Sequence, residues 1–138
     1  MRVWIPMTLA AILAAGLLVG SSAFAEETSI CENAQTTIEI GECVSKEYDK
    51  ADAELNAAWK QVMATFKDND YMTAEDLKAW KDALLASQRD WIKFKEEDCE
   101  AVGYEWFGGT GRSNAVVFCL LDHTTARTKD LKARFLER

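Results

Sequence analysis

From Val44 onward, apolar or small residues recur at Val44, Tyr48, Ala51, Leu55, Ala58, Val62 and Phe66. Each step is three or four residues, which traces one stripe down an α-helix of about 3.6 residues per turn. Trp59 and Met63 widen that stripe. Thr36 followed by Glu39 has the form of a capping box and sets the helix start. Asp68, Asn69 and Asp70 in "KDNDYM" favour a turn that ends it. Thr73 then caps a second helix, with Glu75 and Asp76 suited to its positive end. Its stripe is Leu77, Trp80, Leu84, Trp91 and Phe94, with Ser87 and Gln88 filling the middle turn. It fades near "CEAVG", where Gly103 is the expected terminator. Ser113 or Asn114 is the expected cap of a third helix, whose stripe is Val117, Leu120, Thr124, Leu131 and Phe135. No stretch alternates with period two for long enough to argue a strand. Three amphipathic helices joined by short connections predict an all-α fold, an antiparallel three-helix bundle running up, down and up.

The chain opens "MRVWIPMTLAAILAAGLLVGSSAFAEE". Arg2 precedes an apolar run from about Met7 to Gly20, and Ala23-Phe24-Ala25 supplies an A-x-A site. That is the pattern of a secretory signal peptide, with cleavage expected after Ala25. The apolar run is short for a membrane span, which needs about 20 residues. No small residue precedes Cys31 in "ETSIC", which argues against a lipoprotein. Residues 1–25 are read as the signal and 26–138 as one domain, periplasmic or secreted, with no membrane span after cleavage. Removing 25 of 138 residues leaves 113, enough for one domain. The whole chain carries a formal net charge of -7, and the loss of Arg2 takes it to about -8. An acidic domain disfavours nucleic acid and anionic lipid as partners and favours a basic one.

Cys31, Cys43, Cys99 and Cys119 all lie beyond the signal. An even count in an exported chain reads as two disulfides. The spacing contains no C-x-x-C pair, which argues against zinc. Cys43 and Cys99 lie at similar distances either side of the first turn, so both sit at one end of the antiparallel pair, and Cys119 returns to that end. The preferred pairs are Cys31–Cys43 and Cys99–Cys119. Cys31–Cys99 with Cys43–Cys119 remains open on the same geometry.

The chemistry on offer is sparse, and the expectation is a protein without catalytic residues, metal or cofactor. His123 is the single histidine, and "LLDHTT" has nothing of a nucleophile elbow. It reads as a surface or half-buried helical residue. Glu96, Glu97, Asp98 and Glu100 read as a solvated helix face, with no pair marked out for hydrolysis. "DNDYMTAEDLKA" fails as a calcium loop, because Thr73 stands at the glycine position and Ala79 at the closing glutamate. "FGGTGRSN", Phe107 to Asn114, fails as a nucleotide loop. Trp106 stands where the first Walker glycine belongs, and Arg112 replaces the lysine. It reads as a connector between the second and third helices.

Three landmarks resemble a known family. "CENAQTTIEIGECVSKEYDKADAELNAAWKQV" is similar to the opening of the lysozyme inhibitor LprI-like family: a cysteine, an A-x-T run, an E-I/M-x-x-C turn, then a tyrosine and D-x-E-L-N. "LLASQRDWIKFKEEDCE" resembles the second landmark, A-Q-R-x-W-I-x-[FY]-[RK]-x-x-x-C, with Ser87 where alanine is common. "GGT" followed by "CLLDHTTARTKDL" resembles the third. The resemblance runs from Cys31 to about Leu131. It implies a helical, disulfide-bonded exported domain that binds and inhibits lysozyme.

Trp59, Trp80 and Trp91 lie on the stripes and are expected in the core. Asn56, Gln88, Arg89 and Arg127 border the stripes and are expected to form a polar network between helices. Asp52 or Glu54 is the expected acidic partner of its arginine. An inhibitor of a basic lysozyme has two physical devices at hand. An acidic surface speeds the encounter, and Glu96, Glu97, Asp98, Glu100 and Glu105 supply one. A donor inserted in the cleft meets the catalytic carboxylates, and Gly111, Arg112 and Ser113 are the candidates. The alternative expectation is a periplasmic interaction or envelope-stress module with another protein or a small ligand. A small hydrolase is the third class considered, and no site supports it.

Overall fold

The computed structural model describes residues 30–67 and 71–137. The expected signal peptide and the Asp68–Asp70 turn lie outside the described residues. Among the described residues there are three α-helices: α1 (Thr37–Ala64), α2 (Ala74–Glu105) and α3 (Arg112–Phe135). A 3-10 turn, Thr65–Lys67, extends α1. Among the described residues no helix is long and apolar enough to cross a membrane.

The helix starts follow the capping chemistry in two of three cases. The Thr36 side chain accepts from the Glu39 amide, and the Glu39 carboxylate accepts from the Thr36 amide, closing the expected box. Thr73 caps α2 by accepting from the Asp76 amide. α3 departs from expectation. It begins at Arg112 after Gly111, and no side chain caps it. Asn114 instead donates to the Thr37 carbonyl oxygen at 2.8 Å, tying the first turn of α3 to the first turn of α1. Asn114 therefore lies inside the first turn of α3 rather than before it, and its amide nitrogen serves an interhelical bond.

α3 packs along both α1 and α2. It runs parallel to α1, and α2 runs antiparallel to both. The α1 stripe is the packing face: Val44, Leu55, Ala58, Val62 and Phe66 are all buried. Leu55, Val62 and Phe66 meet Leu84 and Leu131 in the main cluster, with Trp59, Trp80 and Trp91 partly buried around it. The Phe66 and Trp80 rings meet edge to face with centroids 4.6 Å apart. Fully burying a residue such as Val62 or Leu131 stabilises the fold by about 1.5–3 kcal/mol.

Two expectations for α2 are corrected. Gly103 does not end the helix, which continues to Glu105. It is buried, and a Cβ there would lie 2.8 Å from Val116 Cγ2, so its role is to let α3 approach. Phe94 is 54% exposed rather than part of the core, and Lys95 is buried in its place. The inward face in this half of α2 is Trp91, Lys95, Cys99 and Gly103, one residue every helical turn.

Both preferred disulfides are present: Cys31–Cys43 and Cys99–Cys119, with Cα separations of 6.0 and 5.5 Å. The first folds the segment before Thr36 back on α1. The second joins α2 to α3 across their connection.

Candidate partner-binding site

The end of α2 and its connection to α3, residues 106–111, expose aromatic side chains beside a groove. Tyr104, Trp106 and Phe107 are 59%, 52% and 76% exposed. The backbone turns through hydrogen bonds from the Phe107 amide to the Tyr104 carbonyl and from the Gly109 amide to the Trp106 carbonyl. Gly108 takes φ of 82°, a left-handed value that other residues resist. The Trp106 ring lies over Gly111 and helps to line a groove of about 490 Å³. Thr37 and Ile40 of α1 form one wall, and Asn114, Ala115 and Phe118 of α3 form another.

Arg112 is not at a loop tip. It opens α3, and its guanidinium lies 5.0 Å from the Tyr104 ring centroid and 5.8 Å from that of Phe107. Cation–π attraction holds it against the aromatics, so both the cation and the rings belong to one surface. Ser113 is exposed beside it, and Gly111 is half-buried under Trp106. Tyr104, Trp106 and Phe107 carry most of this surface, and none stands out from a helical stripe. The available signal was their flanking of the glycines at a helix end.

The acidic residues are divided. Glu96, Glu97 and Glu100 are exposed on α2. Glu97 makes only a loose pair with Lys93, at 3.8 Å. Asp98 is different: its carboxylate lies 2.8 Å from His123 Nε2 on α3. His123 is half-buried, as expected, with its ring edge-on to Phe94 at 5.4 Å. The run is therefore part solvated face and part interhelical contact.

The expected polar network exists with a different membership. Arg127 Nε donates to Gln88 Oε1 at 3.0 Å, and its terminal nitrogens reach Asp130 at 3.2 Å and the Ser87 hydroxyl at 3.5 Å. The acidic partner is Asp130, one turn along the same helix, and not Asp52 or Glu54. Burial holds the Arg127 guanidinium below its ordinary value, with Asp130 opposing the shift. Asn56 donates instead to Asp52 on the exposed side of α1, and Arg89 is exposed and outside the network.

Two cations approach the Trp91 ring. Arg127 stands 5.7 Å from its centroid and Lys95 5.1 Å. The Lys95 ammonium also lies 5.5 Å from the Tyr48 ring and donates to the Tyr48 hydroxyl at 3.3 Å. Tyr48, Trp91, Lys95 and Arg127 thus knit α1, α2 and α3 together.

A family model described as lysozyme inhibitor LprI matches residues 31–131. An uncharacterised protein of Rhizobium meliloti (strain 1021) is 33% identical over 105 residues, covering 74% of this chain and 76% of its own length. No solved structure matches. The match takes in all four cysteines, α1, α2, the aromatic connection and α3 up to Leu131, and the chain belongs to the lysozyme inhibitor LprI family.

Proposed function

We propose that the mature chain is an exported, non-catalytic protein that binds lysozyme and blocks its cleft. Family membership supplies the partner class. The single observation that carries the mode of binding is the exposed Tyr104, Trp106 and Phe107 surface, with Arg112 laid across it. Exposed Trp, Tyr and Arg are the residue types that dominate protein–protein binding energy. Lysozyme works through two carboxylates flanking the scissile bond. In this reading the aromatics seat the connection at the cleft mouth, and the Arg112 guanidinium pairs with a carboxylate. Glu96, Glu97 and Glu100 lie nearby on α2 and attract a basic partner before contact. Export, through the signal peptide read at residues 1–25, would bring the protein to where lysozyme acts.

The test is lysis of bacterial cell walls by lysozymes of several classes, with the mature protein as inhibitor. The expected result is inhibition of at least one class. Trp106→Ala with Phe107→Ala is expected to weaken it by about 30-fold or more, the equivalent of about 2 kcal/mol at a binding hot spot. The Trp106 ring packs over Gly111, so thermal unfolding is measured alongside and inhibition is compared where the double variant is folded. Full inhibition by the double variant would remove this surface from the site. Failure of the unaltered protein against every class would remove the function.

A further inference from the structure

Beside the aromatic connection, α1 and α3 leave a groove of about 490 Å³ between their first two turns. The one side-chain amide in its walls is already committed. Asn114 Nδ2 donates to the Thr37 carbonyl oxygen at 2.8 Å. Asn114 Oδ1 is pressed against Gly41, where a Cβ would stand 2.8 Å from it. What the groove offers an occupant is therefore mostly carbon: Ile40 from α1, Ala115 and Phe118 from α3, and Trp106 from the connection. Recesses of this size lined by aromatic and aliphatic groups suit an apolar occupant.

We propose that this groove receives an apolar side chain of the bound lysozyme, one that stands beside a carboxylate in the lysozyme cleft. The inference rests on the reading of the aromatic connection as the lysozyme-binding surface. Continuity with that surface carries it. Trp106 belongs to both, being 52% exposed and also lining the groove. Its neighbour Phe107 holds the Arg112 guanidinium, 5.8 Å from the ring centroid. An apolar recess and a cation thus adjoin one pair of aromatic residues. Lysozyme offers the complement. Where its catalytic acid sits in a hydrophobic pocket against a tryptophan, carbon surface and carboxylate are neighbours. A carboxylate that meets Arg112 then brings the adjoining apolar side chain to the groove. Charge points to the same occupant. Glu105 is exposed next to Trp106, and the whole chain carries a formal charge of -7. Both suit a basic protein and disfavour a second copy of this acidic one.

The groove and the acidic face of α2 act at different moments. Exposed charges speed the encounter, whereas a side chain seated in a recess is felt after contact, in the dissociation rate. Seating it also removes apolar surface from water, which makes the heat-capacity change of binding more negative.

The experiment uses the mature chain and the lysozyme class it inhibits most strongly. Ala115→Leu fills the groove from α3 with a good helix former and leaves Trp106, Phe107 and Arg112 in place. Ile40→Ala removes part of the opposite wall. Ala126→Leu, at an exposed position of α3, controls for added bulk. Binding kinetics, calorimetry at several temperatures, sedimentation and thermal unfolding are recorded for each chain. Ala115→Leu is expected to weaken binding by about 30-fold or more, through faster dissociation and with a less negative heat-capacity change. Ile40→Ala should weaken it by about tenfold, and Ala126→Leu should bind as the unaltered chain does. Thermal unfolding shows which variants are folded at the binding temperature, and Ile40→Ala carries the test where Ala115→Leu is not. Undiminished binding by a folded Ala115→Leu or Ile40→Ala chain overturns the groove as a receptacle and leaves the aromatic connection standing. A loss in Ala126→Leu equal to that in Ala115→Leu overturns it too, because bulk on α3 would then suffice. Self-association of the unaltered chain that Ala115→Leu abolishes assigns the groove to a second copy. If no lysozyme class binds the unaltered chain, the parent reading fails and the groove proposal falls with it.

Discussion

Gly103 of α2 and Val116 of α3 are in such close register that a single methyl group would not fit between them. A Cβ on Gly103 would stand 2.8 Å from Val116 Cγ2 and 3.4 Å from Arg112 Nε. Val116 is β-branched and stiff, so it yields little. Overpacking of this kind destabilises by about 1–3 kcal/mol, and the better helix propensity of alanine returns up to about 1 kcal/mol. Gly103→Ala should therefore lower stability by about 1 kcal/mol net, read as a reduced urea midpoint. The same change made in a Val116→Ala background should be nearly neutral or stabilising. Equal effects in both backgrounds would mean that this contact is not what requires glycine.

That contact also marks the boundary of what the sequence disclosed. The α1 stripe was legible because every inward position from Val44 to Phe66 is apolar or small, and all of them are buried or half-buried. The second half of α2 was not. Its inward face includes Lys95 and Gly103, which a hydrophobicity pattern reads as outward or as a stop. Lys95 is admitted because Tyr48 and Trp91, distant in sequence, present their ring faces and a hydroxyl. Asn114 misled for a related reason: it is a good cap residue, but α3 starts two residues before it, and its side-chain nitrogen donates to a carbonyl 77 residues away. In each case a partner from another helix decided the outcome, and local propensity does not encode partners. The candidate site was half visible. The glycines of "FGGTGRSN" drew attention to the connection, whereas the exposed aromatics beside them only acquire meaning once their exposure is known.

Thr124 is fully buried in α3 and its hydroxyl has no hydrogen-bond partner. One turn on, the Thr128 hydroxyl donates to the Thr124 carbonyl oxygen at 2.9 Å. A buried hydroxyl without a partner forfeits its hydration for nothing in return, at a cost of about 1–3 kcal/mol. Valine has nearly the same shape. Thr124→Val is expected to raise stability by about 1 kcal/mol, whereas Thr128→Val, which discards a bond already made, should gain less. Thermal or urea unfolding of the two variants checks the order. A destabilised Thr124→Val chain would show that the hydroxyl has a partner.

The capping box of α1 makes a pH prediction with a definite sign. Hydrogen bonds from the Gln35 and Thr36 amides, and then from the Thr36 side chain, hold the Glu39 carboxyl below its ordinary value. A carboxylate with a depressed folded-state value stabilises the protein above its unfolded value and loses that contribution as pH falls through the folded one. The carboxylate half of the box is thus complete at neutral pH and is lost only in acid, while the Thr36 hydroxyl keeps its bond from the Glu39 amide. Glu39→Gln should flatten the acid side of the stability–pH curve and leave the curve's shape near neutrality unchanged. Thr36→Ala should lower stability by about 1 kcal/mol at neutral pH. Unfolding midpoints measured from neutral to acid pH decide both. An acid limb as steep in Glu39→Gln as in the unaltered protein would transfer that limb to other carboxylates.

The acidic face of α2 predicts how association with a basic lysozyme should respond to salt. Glu96, Glu97 and Glu100 are exposed and only Glu97 has a partner nearby, at 3.8 Å. Such charges act before contact, over a Debye length of about 8 Å at physiological salt. Replacing all three by glutamine should slow association by about tenfold at low salt and leave dissociation little changed. The difference between variant and unaltered chain should shrink as salt rises, because screening already removes the same term. Asp98 behaves differently, since it is engaged by His123 and joins two helices. Asp98→Asn should affect the α2–α3 contact more than the encounter rate. Stopped-flow association at several salt concentrations separates these contributions. If the triple variant associates at an unchanged rate in low salt, the acidic face takes no part in steering, and the aromatic connection must account for binding alone.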